Sequence, residues 1–310
     1  MASSLDLLPL NALVGAVIVT YNPEQSQIER LLEAALPQVD KILIVDNGSH
    51  PDSVDWISSF IAGRSIEFHP LGENRGIATA QNIGIALAKE RGAEYVLLFD
   101  HDSLPAPDMV AKLLAAIKLK QSQGVLVGAV GPWYEDPRKA RRTAPFVEVQ
   151  GFKLVRKICN PTDPIVSVSH LIASGSLTPM TTFDAVGVMR DDLFIDYVDI
   201  EWGLRAHELG YQSFGVCDAL MDHDLGDDPM IIFGKSVSFH SPLRHYYQFR
   251  NAIWLYRQSY LPLNWKVGDA YRLFLRLGFY TLFAKPHLKH WKMMLKGLFD
   301  GALGRVGKAR

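Results

Sequence analysis

The segment Tyr95-Val96-Leu97-Leu98-Phe99-Asp100-His101-Asp102-Ser103-Leu104-Pro105 sets an unbroken apolar run against two carboxylates one residue apart. The run has the length and composition of a buried parallel strand. The acids then lie just past its carboxyl end, where open α/β sheets bind ligands. Carboxylates so spaced at a strand-to-loop turn can hold a hard divalent cation through oxygen. A cation there would offset the charge of a diphosphate, so the segment points to an enzyme with a nucleotide-activated substrate.

The flanking pattern is that of parallel βαβ units. Residues 14–19, 41–45 and 65–69 read as strands, and residues 23–36, 52–62, 76–91 and 107–121 as helices. Past residue 124 the rhythm changes. Residues 125–134, 146–156 and 165–171 read as extended, 201–209 as a helix stopped by Gly210, and 211–216 as a strand. From residue 245 onward the pattern is mostly helical, and no internal repeat is present.

At 310 residues, 48% hydrophobic and 21% charged, the chain is ordinary for a globular enzyme with a substantial core. Cys159 and Cys217 are far apart with no metal-type spacing, so reduced thiols are expected and a disulfide framework is not. The N-terminus has no basic region before its apolar stretch, so no signal peptide is expected. No apolar run is long enough for a transmembrane helix. The formal net charge of −1 hides an asymmetry: residues 251–310 carry 11 Lys/Arg against 2 Asp/Glu, and the remainder 21 against 31. A basic tail of this kind suggests an acidic partner such as a membrane surface. Nucleic acid is not expected, since no nucleic-acid module is present and the rest of the chain is acidic.

Three polar clusters follow three strands: Thr20-Tyr21-Asn22, Asp46-Asn47-Gly48 and Asp100-His101-Asp102. In a parallel sheet they share one edge. Each has a plainer reading, since Asp46 can cap its own turn and Asp102 can precede the next helix.

VIVTYNP, ILIVDNGS, ENRGIATAQNIGIALA and LLFDHDS, in this order, resemble the nucleotide-binding half of inverting family-2 glycosyltransferases. The third segment is most similar to rhamnosyltransferases of bacterial surface polysaccharide assembly. The resemblance implies a GT-A fold: a Rossmann-like, mostly parallel sheet with helices on both faces, followed here by a C-terminal helical extension. It implies a catalytic domain over 1–245, with a nucleotide half near 12–125 and an acceptor half near 126–245, and a basic helical segment over 246–310. It also implies that Thr20, Tyr21 and Asn22 line the base and ribose pocket. Asp46 would accept a hydrogen bond from a pyrimidine N3–H, and Asn74, Arg75 and Gly76 would stand beside the nucleotide, with Asn82 holding their loop. Asp100 and Asp102 would be the DXD pair for Mg²⁺ or Mn²⁺, Asp100 also lying against the nucleotide, and His101 would be the variable middle residue.

The second constellation is FIDYVDIEWGLRAHELGY. It is similar to the family's acceptor motif, which makes Asp199 the general base, with Asp196 and Glu201 as neighbours. Trp202 would pack or stack on sugar, and Arg205 would pair with these acids. The chemistry needs such a group, because a hydroxyl is a poor nucleophile until a carboxylate takes its proton. The plainer reading is an acidic first turn favouring the helix dipole. His223 is the candidate to complete the metal site, with His240 in competition; one imidazole and two carboxylates suit Mn²⁺. Arg244, Tyr247, Arg250 and Asn251 match a terminal YY–RN signature, in which Arg250 would reach a phosphate.

Toward the C-terminus, Leu288, Trp291, Leu295, Leu298 and Phe299 share one helical face, and Lys285, Lys289, Lys292 and Lys296 another. This is a basic amphipathic helix, suited either to packing on a neighbour or to an anionic leaflet. The expected activity is inverting glycosyl transfer from a nucleotide sugar, with dTDP-L-rhamnose as the donor the resemblance favours. A lipid-linked saccharide on the cytoplasmic membrane face is the expected acceptor. Another dTDP- or UDP-sugar, or a non-catalytic carbohydrate-binding role, are the alternatives. A dinucleotide dehydrogenase is excluded by the lack of G-x-G-x-x-G after a strand, and Thr20-Tyr21-Asn22-Pro23 is unlike the Gly-rich loop of a nucleotidyltransferase.

Overall fold

The computed structural model describes residues 13–135, 146–160, 162–223 and 240–309, with the backbone of 230–232 and 235–237. The apolar N-terminal stretch before residue 13 lies outside the described residues.

The first half is doubly wound. Strand β1 (Val14–Thr20) is followed by α1 (Gln25–Ala35), β2 (Lys41–Asp46), α2 (Pro51–Ile61), β3 (Ile66–Pro70), α3 (Ile77–Glu90) and β4 (Tyr95–Asp100). These strands pair in parallel in the order β3-β2-β1-β4. β1 is buried along its whole length, as its unbroken apolar sequence requires of a strand covered on both faces. The period-two alternation of side chains splits the core. Val17, Leu43 and Leu98 meet α3 on one face, while Ile18, Ile44 and Phe99 meet α1, α2 and the later α4 on the other.

The second half completes the sheet with mixed pairing. It comprises β5 (Ser103–Pro105), α4 (Met109–Ser122), β6 (Val127–Glu135), the hairpin β7 (Phe146–Gln150) and β8 (Lys153–Lys157), β9 (Ile165–Val168) and β10 (Leu177–Pro179). Next come α5 (Met180–Val186), α6 (Val198–Glu208), β11 (Gln212–His223) and the backbone pair β12 (Met230–Ile232) and β13 (Lys235–Val237). The sheet runs β3-β2-β1-β4-β10-β6-β11-β5, with β9 antiparallel to β11. The three-residue β10 is the joint, antiparallel to both β4 and β6.

The chain ends in α7 (Pro242–Tyr256), α8 (Leu263–Phe283) and α9 (His287–Ala302). Ser241 caps α7, its Oγ accepting from the Arg244 N–H. Phe249, Ala252 and Leu255 of α7 join the same core as Val17 and Leu43, and residues 245/246 fall inside this helix.

One expectation needs correction, and one alternative left open is decided. Cys159 and Cys217 are not free thiols but a disulfide, with Cα atoms 5.6 Å apart. The antiparallel β9–β11 register sets Ile165 opposite Val216, and Cys217 N–H bonds the Pro164 carbonyl. The chain entering β9 is thereby led back to Cys217, a proximity invisible in linear spacing. The apolar stripe of α9, in turn, does not pack inward as a whole. Its buried face is His290, Met294, Gly297, Asp300 and Gly301, with Leu298 half-buried. Leu288, Trp291, Leu295 and Phe299 are exposed. The cause is close approach to α7: a Cβ at Gly297 would sit 2.5 Å from the Tyr246 carbonyl oxygen, and one at Gly301 2.5 Å from that of Arg250. No helix among the described residues is long and apolar enough to cross a membrane.

Candidate active site

The carboxyl edge of the sheet gathers the polar clusters. Register places Thr20 beside Asp46 and Val19 beside Asp100, so the ends of β2, β1 and β4 stand in a row. The loops beyond them are stitched together. Asn22 N–H donates to Ser49 Oγ at 2.7 Å, and His50 N–H to Asn22 Oδ1 at 2.8 Å. Arg75 N–H donates to Asn47 Oδ1 at 2.9 Å, and Gly76 N–H to Asn74 Oδ1 at 3.0 Å. Tyr21, Asn22 and the Arg75 side chain remain exposed on this rim.

Asp46 is fully buried and faces inward. Its Oδ1 accepts from the N–H groups of Gly48 and Ser49, and its Oδ2 from the hydroxyls of Thr20 and Ser49. The roughly four lone-pair sites of a carboxylate are thus filled from within. In this structure Asp46 shapes the turn. Thr20, also fully buried, likewise supports Asp46 through its hydroxyl. Asn82 holds a different loop from the one expected, its side-chain amide exchanging two hydrogen bonds with the backbone of Met189, each 2.9 Å.

Asp100, Asp102 and His223 form a group whose ligand atoms all lie within 4.8 Å of one another. The β5–β11 pairing builds it, since His223 pairs with Ser103, the residue after Asp102. His223 Nδ1 is 2.9 Å from Ser103 Oγ and 3.2 Å from Asp102 Oδ1. Ser103 Oγ is 2.6 Å from Ser174 Oγ, and the Asp100 N–H donates to Ser174 at 3.0 Å. Asp102 Oδ1 is buried with no aligned hydrogen-bond donor among the described residues. An oxygen, oxygen, nitrogen donor set with such an orphaned oxygen fits a divalent cation. Among the described residues it is His223, and not His240, that joins the two carboxylates. Burial raises the Asp100 carboxyl above its usual range, with Asp102 adding to this and His223 opposing it. Burial would also raise Asp102, but the nearby His223 imidazole holds it below that range. A hollow of about 210 Å³ opens beside the group, lined by Gln27, Arg30, Asp102, Ser103, Leu104, Asp222 and His223.

Asp199 sits in the first turn of α6, where its Oδ1 accepts from the Ile200 N–H at 2.9 Å. Burial pushes its carboxyl up to about 6; the Ile200 N–H opposes the shift, and the charges of Asp100 and Asp196 add to it. The charge of Asp199 helps raise Tyr134, behind burial, to about 12, and the Tyr134 ring meets the His223 ring edge-on at 6.3 Å. A carboxyl that titrates near 6 beside a cation-binding group is suited to accept a proton near neutral pH.

A family model for glycosyl transferase family 2 matches residues 16–173. Over 303 residues the chain is 31% identical to dTDP-rhamnosyl transferase RfbF of Shigella flexneri, covering 97% of this chain and 99% of that protein. The chain belongs to glycosyl transferase family 2. The fold agrees with solved glycosyltransferases. GalNAc-T7 with UDP, GalNAc and Mn²⁺ superposes with a TM-score of 0.60 at 14% identity, covering 96% of this chain and 59% of that one. A Pyrobaculum calidifontis mannosyltransferase in complex with GDP-Man and Mn²⁺ superposes with a TM-score of 0.53 at 16% identity, covering 94% and 86%.

Other expected site residues of this glycosyltransferase prove to be structural. Glu201 is fully buried, held by Arg205 at 2.8 and 3.0 Å and by the Tyr260 hydroxyl at 2.8 Å. Trp202 packs on Phe183 and donates to the Gly187 carbonyl. Asp196 pairs through both oxygens with Arg244, at 2.8 and 2.7 Å, and not with Arg205. Arg250 is 1% exposed and does not point to a phosphate. Its guanidinium binds the carbonyls of Leu193 and Gly307 and the side chain of Asn251, because it lies beneath the chain that leads into α6. Sequence reasoning missed Ser103 and Ser174, which support the candidate metal-binding group; a short polar residue on a three-residue strand and another in a turn leave no periodic signal.

Proposed function

We propose that this glycosyltransferase moves an L-rhamnosyl group from dTDP-L-rhamnose to a saccharide hydroxyl with inversion, in the synthesis of a bacterial surface polysaccharide. The observation that carries the reading is the Asp100–Asp102–His223 group, with the charge of Asp100 felt by Asp199 in the first turn of α6, on a chain similar to RfbF along nearly its whole length. Residues 12–125 supply the nucleotide half and 126–245 the acceptor half. Tyr21, Asn22, Asn74, Arg75 and Gly76 bind the nucleoside from the stitched loops, which Asp46 and Thr20 keep in place. Asp100, Asp102 and His223 hold Mg²⁺ or Mn²⁺, which when bound supplies Lewis-acid relief of charge on the departing nucleoside diphosphate. Asp199 takes the proton of the acceptor hydroxyl, whose oxygen bonds to the anomeric carbon on the face opposite the diphosphate. A single displacement of this kind inverts the centre.

The acceptor in this reading is lipid-linked and meets the enzyme at the cytoplasmic face of the membrane. Supporting it, α8 and α9 expose Leu263, Val267, Tyr271, Phe274, Trp291 and Phe299, with Lys289, Lys292 and Lys296 among the exposed residues of α9. Apolar surface edged by lysine favours an anionic interface.

The test is nucleotide release from dTDP-L-rhamnose and a panel of UDP-sugars, with Mn²⁺, with Mg²⁺ or with chelator. Release from dTDP-L-rhamnose that needs metal, and that Asp199→Asn reduces at least a hundredfold, is expected. Faster release from a UDP-sugar overturns the donor. Undiminished release by Asp199→Asn overturns the base.

A further inference from the structure

The chain reaches Asp199 through an unusual backbone. Phe194, Asp196 and Tyr197 have φ of 68°, 64° and 66°. For bulky side chains the left-handed region is costly and persists only where surrounding structure imposes it. The imposing groups can be named. Asn251, with no exposed surface, donates from Nδ2 to the carbonyls of Leu193 at 3.0 Å, Ile195 at 2.8 Å and Asp196 at 2.8 Å. Its Oδ1 accepts from Arg250 Nε at 2.8 Å, which fixes the amide's orientation. Arg250 Nη2 donates to the same Leu193 carbonyl at 2.7 Å, and Nη1 to the Gly307 carbonyl.

The opposite side of the segment is also held. The Phe194 carbonyl accepts from the Ile77 N–H at 2.8 Å, at the start of α3. Gly76 has φ of 91°, and a Cβ there would stand 2.6 Å from the Phe194 oxygen, so only glycine lets the donor loop come this close. The Phe194 ring stacks on Tyr247 at 5.0 Å, and the Tyr247 hydroxyl accepts from the Ala309 N–H at 2.8 Å. Gly307 N–H reaches the Asp192 carbonyl at 2.6 Å.

We propose that Asn251 and Arg250 are positioning residues: they hold the 194–197 segment, with Phe194, Asp196 and Tyr197 at positive φ, and so set where the Asp199 carboxyl meets the acceptor. Neither touches substrate, because both lie beneath the segment. The inference rests on the reading of Asp199 as base and adds how that base is placed. It accounts for an arginine–asparagine pair whose hydrogen bonds go chiefly to main-chain carbonyls.

Asn251→Asp keeps the size of the side chain and its bond from Arg250, but replaces the amide donor with a carboxylate facing carbonyls. Nucleotide release from dTDP-L-rhamnose with Mn²⁺ should fall in kcat by ten- to a hundredfold, with KM for the donor and the Kd of dTDP plus Mn²⁺ within threefold of wild type. Amide hydrogen exchange over residues 192–199 should speed at least tenfold, with residues 14–20 and 41–46 unchanged. Arg250→Lys keeps the cation and loses the planar fork, so the same pattern is expected at three- to tenfold in kcat; it serves if Asn251→Asp does not fold. Wild-type kcat and exchange in the variant overturn the proposal. A lower melting temperature with undiminished kcat per folded enzyme does so too, as does a matched loss of dTDP affinity. Asp199→Asn run in parallel separates the two ideas: if it keeps wild-type turnover, the base assignment fails, while the exchange measurement still decides whether Asn251 holds the segment.

Discussion

Asp199 combines burial, a helix-start hydrogen bond and two neighbouring carboxylates, and each bears on its proton. With the carboxyl raised to about 6, the base is competent above that pH and loses its proton-accepting form below it. The acid limb of kcat/KM is therefore expected near pH 6, a full unit or more above an ordinary aspartate; a limb at pH 4 contradicts the assignment. The same shift has a stability consequence of opposite sense. A carboxyl whose folded-state pKa lies above its unfolded value binds more protons when folded, so its contribution declines as pH rises from about 4 to about 6. Asp199→Asn should thus lose activity and raise the melting temperature at pH 7, by a few degrees in a thermal scan. A fall in melting temperature would show that the carboxylate stabilises the fold. The grouping of Asp102 with His223 was legible because residue type and strand-end position both speak to cation-binding chemistry. The partners of Asp46 and Arg250 were not legible, because they are chiefly main-chain groups and hydroxyls, whose direction residue identity does not reveal.

Among the elements, the parallel strands and their helices were legible wherever apolar periodicity was sustained. β1, β2, β4 and helices α1 to α4 lie within a few residues of where the pattern puts them. The three-residue strands β5 and β10 were not, since so short a segment carries no periodicity. Their existence is imposed by neighbours: β10 by the gap between β4 and β6, β5 by the end of β11. Which face of helix α9 packs inward was left open by the pattern for a different reason. Its inward face is chosen by glycine, and the tight fit of Gly297 and Gly301 against α7 turns the larger apolar side chains outward. Gly297→Val should accordingly part the two helices and cost about 1–3 kcal/mol, as overpacking usually does. Denaturant unfolding measures it, and an unchanged midpoint would mean that α9 carries no weight in the fold. Leu288→Val, at an exposed position, should change the midpoint little.

For the molecule as a whole, the exposed face of α8 and α9 predicts association with vesicles containing anionic lipid and little with neutral ones. Each lysine near such a surface adds about 1 kcal/mol. Phe274→Asp with Phe299→Asp should abolish flotation with these vesicles, and added salt should weaken it in the unaltered enzyme. Equal recovery with neutral and anionic vesicles removes the electrostatic argument. The Cys159–Cys217 bond spans 58 residues of chain, for which loop closure suggests stabilisation of about 4 kcal/mol. Reductant should lower the melting temperature of the unaltered protein but not of Cys159→Ser. Because such bonds persist in oxidising compartments, counting thiols in protein alkylated inside the cell reports the redox setting in which the enzyme works.

The β5–β11 pairing also orders events in time. His223 lies 120 residues beyond Ser103, and β11 must slot between β6 and β5 before the imidazole reaches Asp102. Synthesis runs from the N-terminus, so a chain still emerging from the ribosome has both carboxylates long before it has their nitrogen partner. The enzyme therefore acquires its full set of candidate cation donors only once residue 223 has been made, and a prematurely released product ending before β11 would be unable to consume nucleotide sugar by this route.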